Sequence, residues 1–257
     1  MRNWHKRLDW EKLSPWTDLF FSRDTWMDGV LALRNIFAEN GGDENGFKML
    51  ACMLKASCRT YDDYMAKGIR DEIFTATFGM FSRFLKEHLE SFGVYGFDRD
   101  FWTCRVIAME EFRLGIFEYE LESCQGRPCI SMHIPSDVTL SPEACRASVK
   151  MAEDFFKQYF PEYASVSYFS DSWLLSPVLK EVLPEDSNIM KFQKAFRIGR
   201  EDVGNDEYLQ WVFKNPALPI EELPEETSLQ KKLKVLLKNG RKVWNTLGFL
   251  TDKDFGV

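Results

Sequence analysis

A chain of 257 residues, 45% hydrophobic and 28% charged, can bury a sizeable core as one large domain or two packed ones, and that balance excludes a disordered chain. The formal net charge of -7 argues against a nucleic-acid backbone or an anionic membrane surface as principal partner, while an anionic ligand can still bind locally at a helix end. No run approaches the roughly 18 apolar residues of a membrane span, and the opening MRNWHKRLDWEKLSPW has no apolar leader, so the expectation is a cytoplasmic protein without disulfides.

Residues 1 to about 110 read as helical. Asp24 caps a helix over Thr25–Glu39, with Trp26, Val30, Leu33 and Phe37 on one face and Gly41-Gly42 as the stop. A second helix is expected over Phe47–Ser57 and a third over Asp71–Ser91, where Phe74, Phe78, Phe81, Phe84, Leu85, His88 and Leu89 trace an apolar stripe ending at Gly93. His88 on that stripe reads as a core or boundary residue, not a ligand. A short helix over Asp98–Glu110 leads into the sheet.

The period then changes to two. Ile116, Glu118 and Glu120 alternate with Phe117, Tyr119 and Leu121, which predicts a strand with one wetter face. Cys124-Gln125-Gly126-Arg127-Pro128 supplies a turn, and Cys129–Ile134 returns as the second strand of a hairpin. Ser141-Pro142 opens a helix whose face carries Cys145, Ser148, Ala152, Phe155 and Tyr159, stopped at Pro161. A strand over Val166–Phe169 follows, and the right-handed crossover makes it parallel to Cys129–Ile134 in the same sheet. Ile189–Ile198 reads as another strand, Asp206–Phe213 as a short helix, Thr227–Asn239 as a capped amphipathic helix and Val243–Leu250 as a last strand.

Six cysteines without a CxxC and three histidines (His5, His88, His133) give no zinc-ligand spacing, and no metal site is expected. His133, Asp137 or Asp171, and Ser172 have the residue types of a hydrolytic triad, but no serine lies in a G-x-S-x-G turn.

HIPSD at 133–137, AEDFF at 152–156, DSWLLSPVL at 171–179, LPEDSNIMKFQKAF at 183–196 and LPEETSLQKKL at 223–233 together resemble a bacterial family of acyltransferase-domain proteins. In that family a helical N-acyltransferase N-terminal region precedes a GNAT-like C-terminal domain, GNAT being the superfamily of acyl-CoA-dependent N-acyltransferases. The resemblance implies an α+β fold, with a helical region over residues 1–111 packed on a GNAT-like mixed β-sheet with flanking helices over 112–257. It also implies that two central strands splay, here Cys129–Ile134 and Val166–Phe169, to admit the pantetheine arm of acetyl-CoA or another acyl-CoA. The coenzyme pyrophosphate would lie at the N-terminus of the helix from Ser141, contacted by Ser136, Asp137, Thr139 and Ser141. Where the superfamily carries a Gln/Arg-x-x-Gly-x-Gly/Ala run this chain has PSDVTLS, and Asp137 would repel a phosphate unless it turns away or pairs with a cation.

On this reading the acceptor is a small-molecule amine or a peptide amine. His133, at the end of the strand bordering the gap, is the first candidate base, or else it holds the turn at Pro135. Glu118 and Glu120 are second candidates, or else they belong to a solvated sheet face. Ser172 either donates to the thioester carbonyl or caps the following turn. Trp173 is core or the wall of an acyl pocket. Ser187 and Asn188 match the family's SNI motif, with Asn188 a coenzyme contact or part of the hydrogen bonding that holds its loop. The N-terminal helices, with their Phe-rich stripe, would shape the acceptor pocket. The alternative is a non-catalytic small-molecule or protein binding module on the same scaffold.

Overall fold

Residues 8–214 and 218–256 are described by the computed structural model, and the chain divides into two units, Met1–Phe112 and Arg113–Val257. The first is built from α1 (Trp10–Thr17), α2 (Trp26–Glu39), α3 (Phe47–Lys67), α4 (Asp71–Phe92) and α5 (Asp100–Ile107). Its core gathers Trp26, Val30, Leu33 and Phe37 of α2 and Met49, Met53 and Ala56 of α3, residues spaced three or four apart along each helix, together with Phe20, Met80 and Val106. α3 runs well past Ser57 because Ala56, Thr60 and Tyr64 continue its buried face, and the Thr60 hydroxyl donates to Ile107 O at 2.9 Å. At its start Gly46 has φ +68°, and a Cβ there would lie 1.8 Å from Phe97 O, so only glycine fits. His88 is the boundary residue expected, with Nδ1 2.8 Å from Val94 O and its ring 4.7 Å from that of Phe92.

The second unit is organised on a six-stranded mixed sheet in the order β1-β2-β3-β4-β6-β5. The strands are β1 (Glu111–Leu114, within which the unit boundary falls), β2 (Phe117–Cys124), β3 (Arg127–His133), β4 (Tyr168–Ser172), β5 (Phe196–Asp202) and β6 (Asn245–Leu250). β3 and β4 are parallel, and α6 (Pro142–Tyr159) forms the crossover between them. α7 (Asn188–Lys194), α8 (Tyr208–Phe213) and α9 (Ser228–Lys238) complete the unit. The β2–β3 hairpin turns on Gln125 and Gly126, both at positive φ, as a two-residue hairpin loop of its twist requires.

One residue of α6 ties the helix to the sheet. The Ser148 hydroxyl donates to Leu114 O at 2.5 Å, accepts from Phe117 N at 3.2 Å and lies 3.0 Å from Tyr119 Oη. Gly115 makes this approach possible, because a Cβ on it would sit 2.9 Å from Ser148 Cα. No helix among the described residues is long and apolar enough to cross a membrane.

Three expectations are corrected. Residues 189–194 are helical, not the start of a strand: the Ser187 hydroxyl accepts from Met190 N, capping α7, and the strand begins only at Phe196. Cys124 and Cys129 form a disulfide, because the hairpin sets the two strands side by side at that point. Glu118 and Glu120 do not lie on a wet face, since each is 3% exposed.

Candidate functional site

Among the described residues, β3 and β4 are paired only at Ile130 with Tyr168 and Ser131 with Phe169, together with a bond from Ile130 N to Ser167 O at 3.0 Å. β3 continues to His133, while β4 continues to Ser172 with its other edge laddered to β6 from Phe169–Phe249 to Ser172–Thr246. The two parallel strands therefore part at their carboxyl ends. This is the end of an open α/β sheet at which ligands gather, where strand termini and the loops after them leave a crevice.

Register and alternation fix which side chains share a face. In the β2–β3 ladder Glu118 stands opposite His133 and Glu120 opposite Ser131, so these four point to one side, while Phe117, Tyr119, Ile130 and Met132 point to the other. His133 Nε2 lies 2.9 Å from Glu120 Oε2, its diagonal neighbour across the ladder, with the histidine side chain 22% exposed and the carboxylate nearly enclosed. A carboxylate accepting from an imidazole N–H orients the ring, and a general base needs such an orienting partner. Cys145 offers no rival nucleophile, since burial pushes its thiol up to about 12.

The loop after β3 leads to α6. Ser136 and Thr139 are exposed, and Ser141 caps the helix, its hydroxyl accepting from Ala144 N at 3.3 Å. Asp137 does not stand alone at this anion-attracting end, because Arg113 Nη1 lies 3.0 Å from each of its carboxylate oxygens. The pair removes much of the repulsion that an isolated carboxylate would exert on a phosphate. Sequence reasoning missed Arg113, since nothing local links residues 24 positions apart.

The remaining candidates lie further along. Ser172 is 9% exposed and its hydroxyl oxygen accepts from Leu174 N at 3.2 Å, so it caps the turn that follows β4. Trp173 packs with a second apolar cluster that includes Leu179, Tyr208, Phe213 and Leu233, its ring 6.5 Å from that of Tyr208. Asn188 is exposed in the first turn of α7. The Gln193 side chain in α7 holds the turn between β4 and α7, donating to Leu174 O at 2.8 Å and Ser176 O at 3.0 Å.

A mixed sheet with two parallel central strands parting before a capped helix defines the GNAT-like class. The chain belongs to the family of the GNAT-like C-terminal domain, whose model matches residues 69–250, and residues 9–109 match the N-acyltransferase N-terminal domain. No curated protein matches it. Among solved structures, an acyltransferase in complex with decanoyl-CoA and teicoplanin is similar at 27% identity and a TM-score of 0.75, over 79% of this chain and 65% of that one. An acyltransferase in complex with CoA and 10C-teicoplanin is similar at 26% identity and a TM-score of 0.74, with the same coverage. A mutant acyltransferase in complex with octanoyl-CoA is similar at 27% identity and 0.74, over 78% of this chain and 64% of that one. The chain thus spans slightly less than two thirds of the solved acyltransferases it resembles.

Proposed function

We propose that this chain transfers an acyl group from an acyl-CoA thioester to an amine borne by a small molecule or a peptide. The observation that carries the reading is the parting of β3 and β4 beyond Ser131 and Phe169, with His133 at its edge and the α6 N-terminus after it. The acyltransferases crystallised with decanoyl-CoA, octanoyl-CoA and CoA support an acyl-CoA as co-substrate, and the two complexes with teicoplanin or its 10C form fit a bulky acceptor.

In the reaction the amine nitrogen attacks the thioester carbonyl, the C–S bond breaks and CoA leaves as the thiol. An alkyl ammonium has a pKa near 10, so only about one molecule in a thousand is neutral at pH 7, a cost of about 4 kcal/mol. His133, oriented by Glu120, takes the proton, and a positioned base contributes on the order of 10² to 10⁴ in rate. The Asp137–Arg113 pair and the first turn of α6 receive the diphosphate of the coenzyme. The test is CoA release from decanoyl-CoA with 1-aminohexane as acceptor, followed by mass spectrometry for the decanoyl amide. Enzyme-dependent amide formation supports the reading, and thioester consumption no faster than without protein rejects it for this pair.

A second reading, a binding module without catalysis, is favoured by the glycine-free loop Ser136–Ser141 and by the use of the Ser172 oxygen in a turn cap. It predicts that acyl-CoA raises the melting temperature while no amide forms with any amine.

A further inference from the structure

Asp171 is the residue of β4 that corresponds in register to His133. Both lie two positions beyond the paired residues Ser131 and Phe169, and alternation puts them on one face of the sheet on opposite sides of the gap. That face continues across the next two strands. Asp171 is paired with Leu247 of β6, Asn245 lies two residues from Leu247, and Asp202 of β5 is paired with Asn245. Glu207, just before α8, joins them from above, its Oε2 accepting from Asn245 Nδ2 at 3.3 Å.

Two independent observations single out this cluster. At Asp171 the carboxylates of Asp202 and Glu207 act together, with the guanidinium of Arg200 opposing them. Burial first, then Asp202 and Glu207, raise the Asp171 carboxyl above its ordinary value, with Arg200 opposing. Separately, Asn245 is 8% exposed, yet its Oδ1 has no hydrogen-bond partner. The reverse setting of the amide would turn an oxygen against the Glu207 carboxylate, so the orphan atom is an acceptor. A buried acceptor beside a surplus of carboxylates lacks a donor that carries positive charge.

We propose that Asp171, Asp202, Glu207 and Asn245 form a subsite for an organic ammonium group, the second cationic group of the acceptor whose other amine reaches His133. The acceptor part of this inference rests on the acyl-transfer reading above. An ammonium fits better than a metal ion, because among the described residues these carboxylates do not form a set with ligand atoms all within 4.8 Å. β4 stands between β3 and β6, so with β3 and β4 parted at this end the lines of β3 and β6 lie at least two strand spacings, roughly 10 Å, apart, a span for an extended diamine rather than a single amine. Asp171 repeats the two-residue alternation of β4 in the sequence, but Asp202, Glu207 and Asn245 come together only through the β5–β6 register.

The test uses 1,6-diaminohexane and 1-aminohexane, which differ only by the far ammonium. Without acyl-CoA, the diamine is expected to raise the melting temperature of the protein more than the monoamine does, and this difference is expected to vanish in the Asp171→Asn/Asp202→Asn variant. With decanoyl-CoA, the ratio of kcat/KM for diamine over monoamine is expected to fall at least tenfold in the variant, through KM rather than kcat. A loss of fold would lower both acceptors together and leave the ratio unchanged. Equal shifts by diamine and monoamine, no shift by either, or a shift by calcium chloride alone would overturn the ammonium subsite. Diamine-specific binding without turnover of any acyl-CoA would uphold the cation site while ending its role in acyl transfer.

Discussion

At His133 the hydrogen bond to Glu120 helps set the direction of the ring, and the proposed proton transfer depends on it. His133→Ala is expected to lower kcat by on the order of tenfold or more while moving the melting temperature little, because the side chain is partly exposed. An unaltered rate would remove the base assignment. Asp171 has a consequence for stability of the opposite kind. Its folded-state pKa is raised, so the native chain holds the proton more tightly than the unfolded one, and stability falls as pH rises through the interval from 3.8 to the raised value. Asp171→Asn is therefore expected to stabilise the fold at pH 7, with a gain that disappears as pH falls from the raised value to 3.8; a destabilised variant at pH 7 would contradict this. His133 is legible in the sequence as a strand-end residue and Glu120 as a member of an alternating pair, whereas Asp171 is read there only as a possible triad residue beyond a strand taken to end at Phe169. The burial of Glu120 is not legible, because an alternating glutamate looks the same on a wet face and on one closed by neighbouring strands and loops.

At the scale of elements, the long helices and the hairpin are readable because their periods are sustained. Phe74, Phe78 and Phe81 stack along α4 with centroids 4.2 and 6.0 Å apart, and the same spacing announces the helix in the sequence. α7 escapes that reading because it is only seven residues long, and Met190 and Phe192 in it alternate as they would in a strand. Its start is set by the Ser187 cap, a signal that outweighs two residues of alternation. α9 carries a full capping box between Thr227 and Gln230, and Thr227→Ala is expected to cost about 1 kcal/mol in denaturant unfolding. A variant as stable as the parent would show that this helix is held by packing alone. The Cys124–Cys129 bridge closes a short loop, worth up to about 2 kcal/mol on chain entropy. Alkylation of the denatured, unreduced chain is expected to modify four cysteines and spare two, and six modified cysteines would exclude the bridge.

For the molecule as a whole, the division after Phe112 separates a helical unit with its own aromatic-rich core from a unit built on the sheet. The α+β class and the parallel relation of β3 to β4 follow from the change of period near residue 111 and from the crossover rule, which is why they are legible without coordinates. How far the two strands stay laddered is not, since it depends on β6 holding β4 to one side over Phe169–Ser172 while β3 follows β2. The gap so made is the feature on which the proposed chemistry depends. Hydrogen–deuterium exchange of the full chain with and without decanoyl-CoA tests it most directly. The expected result is slower exchange in peptides covering residues 131–145 and 169–175, the strand ends and the start of α6. Protection confined to other segments, or none at saturating decanoyl-CoA, would contradict the account.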